Sequence, residues 1–177
     1  NLFTDQEFKN KYAFDFKKAT RFSPSDDLTA TNFNTLINQL CDNYQNNKIE
    51  IVKDIKIKSF YTDVQSLRNS LSTILESMVK NTIEKNISIW AKRSDDKNVL
   101  IGISDSNTES LEIEESRDFC RGKIKKAIRY LNGIADYYFI ANFKDSGWKK
   151  INMMKGDEVI NCDPMDGVTH LIKLPKI

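Results

Sequence analysis

Residues 62–86 read TDVQSLRNSLSTILESMVKNTIEKN. Val64, Leu67, Leu71, Ile74, Leu75, Met78, Val79 and Thr82 recur at steps of three and four, which on a 3.6-residue period draws one continuous apolar stripe. A long amphipathic helix is predicted here, opened by Thr62 with Gln65 three residues on in a capping-box pattern. Asn81 falls at the border of the stripe, with Ser77 one turn before it and Lys85 one turn after. Such a polar column is either a solvated helix border or the wall of a site. Taken by itself, the helix favours the solvated border.

The segments around this helix alternate with period two. Upstream, KIEIVKDIKIKSF (48–60) sets Ile49/Ile51 and Ile55/Ile57 against charged residues, which predicts one long half-buried strand or two short ones. Downstream, NISIWAK (86–92) and NVLIGIS (98–104) are joined by a short polar link and predict a hairpin, the second strand apolar enough to be buried on both faces. Residues 105–115 are acidic without sustained period and predict a long surface loop. A further helix is predicted over 116–132, with Cys120, Ile124, Ala127, Ile128 and Leu131 inward and Gly133 as its C-terminal cap. The basic residues Arg117, Arg121, Lys123, Lys125, Lys126 and Arg129 then form its solvated face. Three strands close the chain: DYYFIANF (136–143), GWKKINMM (147–154) and GVTHLIKLP (167–175).

Toward the start, Phe8, Tyr12, Phe16 and Ala19 predict an amphipathic helix over 5–19, and Ser23 to Asp27 a turn. Phe33, Leu36, Ile37, Leu40, Cys41 and Tyr44 give a second helix, capped by Thr29 or Thr31 and ended at Asn46-Asn47. The expected class is α+β: a two-layer α/β sandwich, helices on one face of a mixed, mostly antiparallel sheet. A helical segment (1–46) is expected to precede the main domain (47–177).

Composition narrows the functional classes. With 177 residues the chain can hold one full core, and 27 basic against 25 acidic residues leave a net charge of +2, too small a field to suggest nucleic acid or an anionic membrane as partner. The three cysteines lack metal-ligand spacing and are odd in number, which fits a cytoplasmic setting. No apolar run reaches the length of a membrane span. No phosphate-binding glycine motif is present, and His170, the only histidine, shares strand parity with Val168, Ile172 and Leu174, reading as a packed strand residue. What remains is Asn81 at a helix end, Asp105 at a strand end, and Gly167 with Thr169 opening the last strand. A carboxylate can accept from an exocyclic amino group, and an amide oxygen can ligate Mg²⁺ between phosphates.

In this order these residues resemble the histidine-kinase-like (GHKL, Bergerat-fold) ATPase domain. LSTILESMVKNTIEKN (71–86) is similar to the family's N box, VLIGISDSN (99–107) to its strand ending in the adenine-recognising aspartate, and GVTHLIKLP to its closing strand. The resemblance covers residues 47–177. It implies ATP and Mg²⁺ as cofactors, Asn81 as metal ligand, and Lys85, Asp105, Asn107, Gly122, Lys123, Gly167 and Thr169 as nucleotide-binding residues. Lys80 and Arg121 join Lys85 and Lys123 as candidate phosphate contacts. It also implies phosphoryl transfer or slow hydrolysis in bacterial-type signalling, with a protein partner or a homodimer.

The departures point to an alternative. The glycines of the family's D-x-G-x-G are replaced in Asp105-Ser106-Asn107-Thr108-Glu109, and Gly122 alone stands for the glycine-rich lid. Ser77 occupies the position of the hydrolysing branches' glutamate. A degenerate pseudo-ATPase serving as an interaction or dimerisation module is the competing expectation.

Overall fold

A computed structural model describes residues 27–44, 48–83, 85–95, 98–129, 131 and 135–175. The expected helix over 5–19, the start of the 23–27 turn, the Asn46-Asn47 stop and the Gly133 cap lie outside these residues. The described elements are β1 (Asp27–Thr29), α1 (Ala30–Asp42), β2 (Glu50–Lys56), β3 (Ser59–Tyr61), α2 (Val64–Asn81), β4 (Asn86–Asp95), β5 (Asn98–Asp105), α3 (Ile113–Cys120), α4 (Lys123–Arg129), β6 (Asp136–Phe143), β7 (Gly147–Asn152), β8 (Glu158–Asn161) and β9 (Thr169–Pro175).

The central helix α2 forms because its stripe has somewhere to go. Leu67, Leu71, Ile74, Leu75, Met78 and Val79 are all buried, and at about 1.5–3 kcal/mol per buried side chain this outweighs any single capping bond. Its N-cap is Asp63, whose carboxylate accepts from the Ser66 N–H at 2.8 Å, one residue beyond the expected Thr62. Thr62 is itself buried. The helix ends at Asn81, where Thr82 turns extended (ψ 128) while its N–H still bonds Met78.

Seven strands form one sheet in the order β2-β4-β5-β9-β6-β7-β8. β2 runs parallel to β4, and every other neighbouring pair is antiparallel. The expected closing meander is therefore corrected. β9 inserts between β5 and β6, pairing Ile103 with His170 on one side and Phe139 with His170 on the other. A short edge strand, β8, also escaped the periodicity reading, because all four of its residues are exposed and no alternation marks it. A second, two-stranded sheet pairs β1 with β3, so Asp27 belongs to a strand rather than to a turn.

The expected helix over 116–132 is two helices. It starts earlier, at Ile113, and breaks at Arg121–Gly122, where Gly122 takes φ +76, a backbone region that side chains disfavour. The apolar stripe survives the break: Cys120, Ile124, Ile128 and Leu131 are buried. They join the α2 stripe, Phe33, Leu36, Ile37 and Leu40 of α1, and Ile101, Ile103, Tyr137, Phe139 and Ile172 of the sheet in one core. Among the described residues no helix is long and apolar enough to cross a membrane.

Candidate functional site

Four chain segments end or turn at one place. α2 stops at Asn81, β5 stops at Asp105, β9 begins after Gly167, and the loop from Ser106 to Glu112 leads into α3. Backbone bonds hold the junction: Asp105 N–H donates to Val168 O (3.0 Å) and Val168 N–H to Asn107 O (3.1 Å). Gly167 permits this approach, since a Cβ there would stand 1.6 Å from the Asp105 carbonyl oxygen.

Between these ends lies a cavity of about 290 Å³ lined by Met78 and Asn81 of α2, Asp105, Asn107, Leu111 and Glu112 of the strand end and loop, Glu115, Ser116 and Phe119 of α3, and Phe139, Val168 and His170 of the sheet. Its walls are mixed in a useful way. Aromatic and aliphatic faces can flank a planar group, while polar atoms at the mouth fix its orientation.

Asn81 Nδ2 donates to the Ser77 carbonyl at 2.6 Å, which commits the amide's donor side to the helix and leaves Oδ1 as the outward atom. Asp105 Oδ1 accepts from the Asn107 N–H at 2.9 Å, and Asn107 Oδ1 accepts from the Glu109 N–H at 3.0 Å. These two successive side-chain turns shape the loop that glycines would otherwise shape. Asn107 does so without positive φ, since it is absent from the residues in that region.

Other expected residues lie elsewhere. Thr169 is fully buried and hydrogen-bonds Ser104 Oγ (2.8 Å) and Gly167 O (3.1 Å). Its strand parity is opposite to that of Val168 and His170, so it is their neighbour but not a wall of the cavity. Ser104 in turn accepts from Trp90 Nε1 at 3.4 Å. Lys85, with φ +57, and Lys123, first residue of α4, are exposed and line no part of the cavity. Gly122 is exposed at the helix break, with nothing within 4 Å of a Cβ position. Lys80 pairs with Glu76 at 3.1 Å.

Three of the basic residues expected to be a solvated face converge instead on one aspartate, two at its carboxylate and one at its backbone carbonyl. Asp157, in the β7–β8 turn, accepts from Arg121 at 2.8 Å, lies 3.8 Å from Lys125 Nζ, and offers its backbone carbonyl to Arg117 at 3.3 Å. The hydrogen bond from Arg121 holds the Asp157 carboxyl below its ordinary range, and the same bond raises the guanidinium. The helical spacing that put these cations on one face also aims them at a hairpin the periodicity did not reveal.

Residue-by-residue reading missed the carboxylates Glu112 and Glu115, the ring of Phe119, and His170 as parts of the wall. His170 carried a signal, its shared parity with Val168. Only the register of β9 beside β5 shows that this parity faces the cavity.

Such a sheet and helix layer, with the site between a helix end and a strand end, define a histidine-kinase-like ATPase-type fold. The chain belongs to the family of histidine kinase domains observed in conflict contexts, whose sequence profile matches residues 3–175. No curated protein matches it. Among solved structures, it is similar to the Acinetobacter baumannii histidine kinase AdeS (TM-score 0.56, 11% identity, covering 81% of this chain and 64% of that one). It is also similar to the mycobacterial sensor histidine kinase MprB (TM-score 0.52, 10% identity, covering 81% and 94%). A third likeness is to the histidine kinase ThkA in complex with the response regulator TrrA (TM-score 0.55, 14% identity, covering 97% and 47%). The chain thus spans under two thirds of AdeS and about half of the ThkA chain.

Proposed function

We propose that this histidine-kinase-type domain binds ATP with Mg²⁺ in the cavity between α2, α3 and the sheet, the adenine toward Asp105 and the metal at Asn81. The observation that supports this reading is that Asn81, Asp105 and Asn107, singled out from separate stretches of sequence, line one cavity with apolar walls. The outward Oδ1 of Asn81 suits Mg²⁺, which takes few protein oxygens and completes its shell with phosphate and water. Bound there, the cation would offset repulsion between a triphosphate and the carboxylates Asp105, Glu112 and Glu115. Phosphoryl transfer would then depend on positioning and charge more than on a protein base. Ser77, one turn before Asn81, offers only a hydroxyl where hydrolysis would need a carboxylate, so binding and transfer are favoured over turnover to water. By likeness to the ThkA complex with a response regulator, the acceptor is expected on a partner protein.

Calorimetric titration with ATP and Mg²⁺ tests the reading. Asp105→Asn, which replaces an acceptor by a mixed donor–acceptor, is expected to weaken binding by about 10- to 100-fold, the range for a hydrogen bond to a charged group. Asn81→Ala is expected to remove the dependence of affinity on Mg²⁺. No heat at millimolar nucleotide would end the proposal.

A further inference from the structure

His170 is the chain's only histidine, and it is 1% exposed. Its ring is packed by Phe139 (centroids 5.1 Å, edge-on) and Phe119 (6.2 Å) and lies nearly parallel to the Tyr137 ring, 7° between planes. The Tyr137 hydroxyl meets Nδ1 at 2.7 Å. With no charged group against it, burial drives the imidazole pKa down to about 3, so the ring is neutral and carries one N–H donor and one bare acceptor nitrogen.

Which nitrogen carries the proton follows from acidity. A phenol is a stronger donor than a neutral imidazole, so the Tyr137 O–H donates to Nδ1. The proton is thereby fixed on Nε2, at the far edge of the ring. The ring forms part of the cavity wall. Nε2 is not among the sealed polar atoms left without a partner; an N–H on a cavity wall can exchange water for a ligand acceptor.

We infer that His170 is a ligand-contacting, specificity-determining residue, donating from Nε2–H to an unprotonated ring nitrogen of the bound base; this rests on the nucleotide reading above. Asp105 accepts and His170 donates in one cavity. That pair complements an edge with an exocyclic amino group beside a bare ring nitrogen, as in adenine, and opposes the O6/N1–H edge of guanine and the O4/N3–H edge of uracil, which present an acceptor and a protonated nitrogen instead.

The solitary histidine makes the test direct. In the ¹⁵N-labelled protein the single imidazole is expected to be the Nε2–H tautomer, with its proton resonance shifting on addition of adenosine. Adenosine is then compared calorimetrically with its 1-deaza, 3-deaza and 7-deaza analogues. One analogue is expected to bind about tenfold more weakly, and His170→Phe to cancel that difference. Tyr137→Phe, which keeps the ring but frees the tautomer, should shrink it. An Nδ1–H tautomer, all three analogues within about twofold of adenosine, or discrimination persisting in His170→Phe would overturn the inference while leaving nucleotide binding in place. Absence of any adenosine or ATP binding would remove the nucleotide reading and this inference with it.

Discussion

A neutral histidine sealed among aromatic rings ties stability to pH. The His170 pKa is about 3 in the folded chain and about 6.5 when unfolded, so its folded pKa is depressed and the unfolded chain takes up the proton first. Its penalty is absent above about pH 6.5 and grows as pH falls toward 3, by about 1.4 kcal/mol per pH unit. Between pH 7 and pH 5 the loss is about 2 kcal/mol. Urea unfolding of the wild type and His170→Phe at both pH values checks this. The wild type is expected to lose about 2 kcal/mol more than the variant, and equal losses would refute a desolvated, uncompensated imidazole. At this scale the sequence was only partly legible. Asn81 and Asp105 stand at the ends of periodic segments, where a change of pattern exposes a polar side chain. His170 sits within one, and periodicity marks it as buried without saying what faces it.

Elements meet at two junctions whose physics differs. At Gly167 the constraint is steric. Gly167→Ala would drive a methyl into the Asp105 carbonyl, and because that atom is backbone in a strand end the loss is expected at about 1–3 kcal/mol, read as a fall in melting temperature with Asp105 displaced. At the α3–α4 break the constraint is electrostatic. Asp157 ties Arg117, Arg121 and Lys125 to the β7–β8 hairpin, and Cys120 lies beneath that tie, fully buried with its thiol pushed up to about 12 by burial. Cys120 is therefore expected to resist thiol reagents at pH 8 while half-buried Cys41 and Cys162 react first. Asp157→Asn should speed its labelling, and an unchanged rate would show that the ion cluster does not hold α3 down. The break itself was hidden in the sequence. The stripe through Cys120, Ile124 and Ile128 keeps its spacing across it, and only the backbone of Gly122 records the interruption. The displaced α2 cap has a similar cause, since Thr62 and Asp63 are both capping residues and only the fold brings the Asp63 carboxylate to the Ser66 N–H.

For the whole molecule, the class of fold was legible because alternating segments and striped segments follow one another in an order that few architectures satisfy. The order of strands was not, since no local pattern says where a closing strand inserts. Its insertion has a kinetic consequence. β9 joins β5 to β6, so without it the sheet is two separate ladders with facing raw edges, β2-β4-β5 and β6-β7-β8. Contacts this distant in sequence close slowly, and open strand edges invite association meanwhile. A chain stopped before Thr169 is expected to show no cooperative melt and to aggregate, and a soluble, two-state truncation would contradict this. As the polypeptide leaves the ribosome, Asp105 emerges long before His170. Both walls of the cavity come together only when the final strand slots in, so the cavity appears late and all at once.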